Sequence, residues 1–384
     1  MKEASLDKWN IFIVMFLISL IMRIQIPVFT PYATAFGASS IIIGIILSVT
    51  SFTNLTGNLI AGPLVDRFGK KTFITFPLFA SGGLFIAHGL ASNTADLLIL
   101  HALNGFALAF MIPAAYALLS GYAKNSRQQG KNIAINGMLA TIASIIAPLI
   151  GGKLVEAIGY VHTYFFIGTA MIITAIYSVY FLKDRQVVTI RNRTQRSGRG
   201  VLNAAPNLLI VYFIGFAVLY VHGVLIFEIP YLTVEQGLST FRTGQLFSYM
   251  GIGTFITLSL FFINRFDPFK RLMLGLFGMS IGHFGLFSEL LPLPFLLFLI
   301  GIFFGLVMPA MATSITENAA IDLHGRAFGY MSAVYSLGII ASSSVTGFIR
   351  DTVSPYFIAF LIGMIVLTIA GYTKLAEPKL VNTT

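Results

Sequence analysis

Two apolar runs, Ile41 to Ala61 and Phe73 to Ala91, flank a stretch that reads Gly62-Pro63-Leu64-Val65-Asp66-Arg67-Phe68-Gly69-Lys70-Lys71. A helix that crosses a bilayer needs roughly 20 mostly apolar residues. Each run is long enough, so the chain re-enters the bilayer almost as soon as it leaves. The charges between the runs hold a short loop at the water surface, and glycine at both ends allows a tight turn. The rest of the chain agrees: 57% of its 384 residues are hydrophobic, mean hydropathy is +0.87 and 10% are charged, against about 25% in soluble domains. This is a membrane protein. It has no cysteine, which excludes a disulfide framework and a Cys-ligated metal site. The polar segment Met1 to Asn10 runs straight into a long apolar run, with no signal-peptide pattern.

Apolar runs suggest spans at roughly 10–35, 41–62, 72–92, 95–121, 132–156 and 162–182, then 206–233, 242–263, 271–290, 293–317, 326–348 and 354–374. With twelve spans and both termini cytoplasmic, 20 of the 24 Lys and Arg fall on the cytoplasmic side; Lys153, Arg242 and Arg350 fall outside and Arg23 lies within a span. That asymmetry follows the positive-inside rule, so the net charge of +10 reflects topology and not nucleic-acid binding. The polar segment 184–205 carries Arg185, Arg191, Arg193, Arg196 and Arg199. It reads as a basic cytoplasmic linker between a six-helix half at 1–183 and another at 206–384. Its arginines suit topology and anionic headgroups.

The halves repeat one another at an offset near 195–200 residues. Thr30-Pro31-Tyr32 matches Ile229-Pro230-Tyr231, Phe110 to Ala114 matches Leu306 to Ala310, and the stretch from Ile145 to Tyr164 matches that from Ile339 to Tyr356. Asn264 to Arg271 is a degraded copy of the charged stretch, with Asn264 where the first half has Asp66. Repeats of this kind imply a pseudo-two-fold axis along the membrane normal and a site between the halves.

The charged stretch resembles the signature loop of the major facilitator superfamily, G-x-L-x-D-R-x-G-[RK]-[RK], between the second and third helices, and meets each fixed position. The resemblance implies an all-α fold of twelve transmembrane helices in two pseudo-symmetric halves. It also implies a cytoplasmic gate made of Gly62, Asp66, Arg67, Gly69 and Lys70, with Asp66 near Arg326 at the start of the eleventh helix in the outward-facing state. An acid there is stabilised by the free N–H groups of the helix. The fifth span, with Ala134, Ala143, Ala147-Pro148 and Gly151-Gly152, resembles the family's antiporter motif G-x8-G-x3-G-P-x2-G-G with three glycines replaced by alanine. The resemblance favours export. Small residues at a close helix crossing explain the same pattern.

In the fourth span the family's R-x-x-Q-G register falls on His101-Ala102-Leu103-Asn104-Gly105. Histidine titrates near neutral pH and arginine does not, so His101 is either a proton carrier or an interfacial hydrogen-bonding group. Arg23 sits mid-span with Gln25 beside it, and a charge at that depth costs at least ~2.5–3.5 kcal/mol unless it meets water or a partner. Arg23 and His222 each stand eight residues before the paired prolines Pro31 and Pro230. They therefore occupy equivalent places on opposing cavity helices, a positive site for an anionic or zwitterionic substrate once His222 is protonated. The alternative is a structural arginine paired with a helix carbonyl or with Glu228. Glu228 itself is either a protonation site or an interfacial carboxylate. Asn54 and Asn58 share a helix face, and Tyr32, Tyr116, Tyr231 and Tyr335 are hydrogen-bonding wall residues. His88 and His283, on spans peripheral in this family, are assigned to packing or lipid-side roles. Glu317 and Asp322 are assigned to a gate or the surface.

The expected function is a proton-coupled efflux antiporter working by alternating access. Its cargo is a small organic molecule: a drug, or an anionic or zwitterionic metabolite such as a siderophore-like metallophore. Proton-symport uptake of an anionic nutrient is the alternative. No nucleotide-binding loop and no nucleophile beside a base are present, so neither ATP drive nor an enzyme is expected. No cofactor and no metal are expected. The partners are the substrate, protons and the lipid bilayer of the cell membrane, around a monomer.

Overall fold

The computed structural model describes residues 2–123, 126–184, 207–319 and 324–376, and they form helices and short turns. In chain order these are α1 (Lys2–Ile24), α2 (Ile26–Ala35), α3 (Ser40–Phe68), α4 (Thr72–Gly89), α5 (Thr94–Gly121), α6 (Ser126–Phe181), α7 (Asn207–Glu235), α8 (Thr240–Ser259), α9 (Pro268–Ser288), α10 (Leu293–Asn318), α11 (His324–Ile349) and α12 (Pro355–Ala376). A 3-10 turn at Phe261–Arg265 joins α8 to α9. In hydrocarbon every backbone N–H and C=O must find a partner within the protein, which leaves helices as the element for such apolar runs. Nine helical stretches among the described residues are long and apolar enough to cross a membrane. One of these, at 131–181, is two legs joined at Gly159, whose φ of +75° breaks the helix. The fifth and sixth spans therefore meet at a single non-helical residue, where the sequence suggests a five-residue loop.

Two further expectations need correction. The first span is kinked: α1 ends at Ile24 and α2 begins at Ile26, and Gln25 between them keeps helical dihedrals (φ −73°, ψ −17°) while Pro27 supplies no N–H to continue the hydrogen-bond ladder, so the break is one in hydrogen bonding. The charged stretch is mostly helix. Gly62 to Phe68 belongs to α3, and only Gly69 to Lys71 turns, Gly69 at φ +96°. Asp184 makes that turn possible by accepting from the Lys70 and Lys71 N–H groups at 3.2 and 3.3 Å. The side chains of Gly62, Asp66 and Arg67 lie outside the described residues, as does the linker beyond Asp184.

The repeat read in the sequence reappears in backbone detail. After α2, Ala38 N–H bonds Ala33 O, Gly37 adopts φ +78° and Ser39 caps α3. After α7, Leu238 N–H bonds Thr233 O, Gly237 adopts φ +64° and Ser239 caps α8. Both are helix ends closed by a left-handed glycine, 200 residues apart.

Buried apolar side chains form two main clusters. One draws on residues from Ile11 to Leu182 and takes in Phe227; the other runs from Leu208 to Ala370. The two sets of helices meet toward the end of the molecule away from the chain termini, here the far end. Ser48 of α3 bonds Ser344 Oγ of α11 at 2.8 Å and the Ile340 carbonyl at 3.1 Å. A side chain at Gly44 would strike the backbone of Ser343 and Gly347. Likewise Ser248 of α8 donates to Ile145 O of α6 at 2.6 Å, and Gly152 and Gly244 let the two backbones touch at Phe241 and Pro148. The same faces are bare near the termini. Phe52 and Leu59 continue the α3 stripe of Gly44 and Ser48 and are 56% and 69% exposed. On α11, Ser332 and Gly329 continue the face of Ile340 and Ser343 and are exposed, as is Arg326 at its start. The molecule is closed at the far end and splayed at the end that bears the termini.

Candidate functional site

Arg23 lies in the last turn of α1, directly before the break, and is half-buried. Among the described residues it forms no hydrogen bond and no ion pair. Glu228, the partner weighed for it, is committed elsewhere. Gln25, in the break, turns a buried Oε1 that has no partner. His222 of α7 lies flat on Phe304, ring centroids 4.4 Å apart and planes 10° apart, with its Nδ1 buried and unpartnered. It is close enough for the Arg23 charge to act on it. Arg23, Gln25 and His222 thus each carry polar atoms with no partner among the described residues.

Glu228 is 4% exposed and bonds Arg350 Nε at 3.1 Å. Arg350 spreads over three carboxylates. Its Nη atoms hold Glu235 at 2.9 Å each, and Asp351 lies at 3.4 Å. Its guanidinium stacks 3.7 Å from the Tyr231 ring centroid. Asp351 also accepts from Ser40 at 3.4 Å, which ties this cluster to the first set of helices. Sequence reasoning placed Arg350 outside the spans and missed its role. Its side chain is 9% exposed because it folds back over the ends of α7 and α11.

His101 is 3% exposed, and its Nδ1 meets His88 Nε2 at 2.6 Å. His88 is fully buried, which rules out the lipid-side role weighed for it. Phe29 packs on His101 at 4.0 Å, and Tyr164 stacks on His88 at 5.3 Å and 13°. Tyr32 donates to the His88 carbonyl at 2.8 Å. Asn104 is buried with Oδ1 unpartnered. Asn54 donates to Gly105 O at 3.1 Å and Asn58 to Asn54 Oδ1 at 2.9 Å, so that pair staples α3 to α5. Tyr116 accepts from Asn136 at 3.0 Å.

On α6, Ala143, Ala147 and Pro148 are buried. Side chains at Gly151 and Gly152 would collide with the Ile24 carbonyl and with Phe241. Gly151 therefore lets the helix pass against the first span one residue before its break, and Gly152 against α8. The small residues serve close crossing. Among the described residues no group of His, Asp and Glu could hold a metal ion.

Two sets of membrane helices meet at one end and part at the other, with an unpaired cation, Arg23, within the first span, an arrangement suited to a transporter. A sequence profile described as Major Facilitator Superfamily matches residues 11–343, and the chain belongs to that family. It is 23% identical to multidrug resistance protein MdtG of Rahnella sp., over 86% of this chain and 82% of that one. It is 24% identical to multidrug resistance protein 2 of Bacillus subtilis, over 99% and 98%. Among solved structures it resembles a mutant of nucleoside transporter NupG (TM-score 0.77, 13% identity, 96% and 99% covered). It also resembles a bacterial homologue of the human lysosomal transporter Spinster (TM-score 0.74, 15% identity, 98% and 97% covered). The chain is a membrane transporter of this superfamily and not an enzyme.

Proposed function

We propose that the chain is a proton-coupled exporter that moves a small amphipathic organic molecule carrying an anionic group. It works as a monomer of twelve crossings, with both termini cytoplasmic and two six-helix halves that rock about the cargo. The observation that carries this reading is the unpaired Arg23 at the break of the first span, with His222 across from it. A charge at bilayer depth costs at least ~2.5–3.5 kcal/mol without a partner, and a carboxylate or phosphate supplies one. Two cations so close repel, so Arg23 gives the charge and His222 a neutral nitrogen. The multidrug names of the relatives support export and an organic cargo. Since the basic residues gather near the termini, the positive-inside rule puts that end in the cytoplasm. The splayed end is then the cytoplasmic one, and the far-end contacts form the outer gate.

The test is proton movement in proteoliposomes carrying an internal pH dye, with a panel of organic anions, metal-chelating carboxylates and cationic dyes. Anions are expected to drive proton movement, and Arg23→Ala to cut it at least about tenfold, the effect of ~1.4 kcal/mol of lost interaction. Proton movement driven only by cationic dyes, and unchanged in Arg23→Ala, would overturn the assignment of cargo charge.

A further inference from the structure

Spans packed on the outside of a helix bundle have no need of buried histidines, yet α4 and α9 each carry one. His88 and His283 stand 195 residues apart, the offset of the internal repeat. Both are fully buried, and in both Nδ1 bonds the carbonyl one turn earlier: Leu84 O at 2.7 Å and Met279 O at 2.9 Å. Each packs against a tyrosine from the last span of its set, Tyr164 at 5.3 Å and Tyr356 at 6.2 Å, and both tyrosine hydroxyls are buried without partners. Each also faces a second histidine. His88 bonds His101 directly. His283 lies near His222, and its Nε2 and the His222 Nδ1 are both unpartnered.

The bonded pair has one consistent tautomer. A carbonyl only accepts, so His88 Nδ1 carries a hydrogen and, in the neutral ring, Nε2 is an acceptor. His101 Nδ1 must then be the donor, which leaves the His101 Nε2 lone pair as the place where a proton can add. The resulting imidazolium already has an acceptor on its Nδ1–H. We propose that His88 and His101 form a proton-carrying dyad. His101 is the ring that takes the proton, and His88 is the positioning residue that fixes its tautomer and stabilises its charge. Among the described residues the titratable side chains against the pair are Tyr32 from α2 and Tyr164 from α6. Among the described residues no carboxylate, lysine or arginine touches either ring. A charge in such a closed apolar pocket is costly. The proton is therefore taken up when the far end opens to water and is given up when it closes. The pair sits where that requires, with His88 in the last turn of α4 and Tyr32 three residues from the end of α2. His283 is the repeat counterpart of His88, but its neighbour His222 aligns with Arg23 and not with His101, so the bonded pair exists in the first set of helices alone among the described residues. Arg23 near His222 supplies a fixed positive charge, so no second proton is assigned there.

This inference rests on the proton-coupled reading above, and its test is separable from it. The full chain, labelled with 15N-histidine in lipid bilayers, has six histidines, and His101→Phe identifies one signal by its loss. The His101 ring is expected to gain a proton as pH falls from about 8 to about 4, toward the acid side of the usual histidine range because the closed apolar pocket disfavours its charge. His88→Phe should leave it neutral across that range. His88→Gln, whose amide oxygen can accept the same hydrogen bond, should restore the titration. A wild-type His101 that stays neutral throughout overturns the dyad without need of any variant. So does a His101 that titrates unchanged in His88→Phe. Cargo-driven proton movement in wild-type liposomes with a silent His101 removes the dyad and leaves the exchanger standing. A titrating His101 in a protein that moves no protons with cargo supports the dyad and removes the exchanger.

Discussion

Arg350 Nε lies 3.1 Å from Glu228 Oε1 in a pocket where the two side chains are 9% and 5% exposed. This is the most enclosed charge pair described in the molecule, and it sits at the far-end contact, one residue from the Asp351 that reaches Ser40. Removing one partner of a buried pair strands the other. Arg350→Met is therefore expected to lower the stability of the purified protein by ~3–5 kcal/mol in thermal or denaturant unfolding, and Arg350→Met with Glu228→Gln to recover most of that. A double variant no more stable than the single would show that the pair is not a closed unit.

Arg350 itself adds no pH dependence near neutrality. Burial works against its charge, but the hydrogen bonds to Glu235 and the charge of Glu228 outweigh that, and its pKa lies above the ordinary arginine value. A cation with a raised pKa contributes stability that is fully present below the unfolded value and is lost only as pH climbs through the folded one. A stability profile in wild type that falls between about pH 7 and 10, absent in Arg350→Met, would contradict this, since arginine stays charged throughout that range.

Arg23 should behave in the opposite way. It has no partner to strand, and an unpaired charge at bilayer depth is costly, so Arg23→Ala is expected to leave stability unchanged or to raise it, by up to ~2.5–3.5 kcal/mol, while cutting anion-driven proton movement at least about tenfold. Arg23→Lys keeps the charge but not the planar fork, and should retain part of the activity. Unfolding midpoints and the liposome assay, run on the same preparations, separate the two effects.

The cysteine-free chain offers a direct test of the gate. Ser48 and Ser344 hydroxyls are 2.8 Å apart, so the pair S48C and S344C should form a disulfide on mild oxidation, lock the far end shut and stop transport, with reductant restoring it. In the locked protein, a cysteine at Leu59 or Ser332 should label with a water-soluble maleimide. Poor labelling at both would mean that the splayed end does not hold water.

The turn after α3 hangs on one side chain. Asp184→Ala removes the acceptor for the Lys70 and Lys71 N–H groups, at a cost of ~1.5–3 kcal/mol from the usual worth of a hydrogen bond to a charged group. Amide exchange at these two positions should accelerate accordingly, with exchange in the body of α4 unchanged. Uniform acceleration along α4 would show that Asp184 supports the helix and not the turn.

Much of this was legible in the chain alone. Apolar runs longer than a bilayer, broken by a charged stretch, leave helices as the crossing elements, because hydrocarbon offers a backbone no hydrogen-bond partner. The repeat that aligns Pro31 with Pro230 also aligns Arg23 with His222, since a register is a property of sequence. What the chain could not give was who satisfies whom. Arg350 reads as a loop cation until the folding of α7 against α11 puts Glu228 within 3.1 Å of it. His88 reads as packing until α4 and α5 set its Nε2 against His101. The charged stretch reads as a loop with a glycine at each end, but the helix runs on through Phe68 and turns only at Gly69, where Asp184, over a hundred residues away, holds the turn. Hydropathy and spacing decide which segments cross the bilayer. The partner of a buried polar group is decided by the crossing of helices distant in sequence, which a linear pattern does not encode.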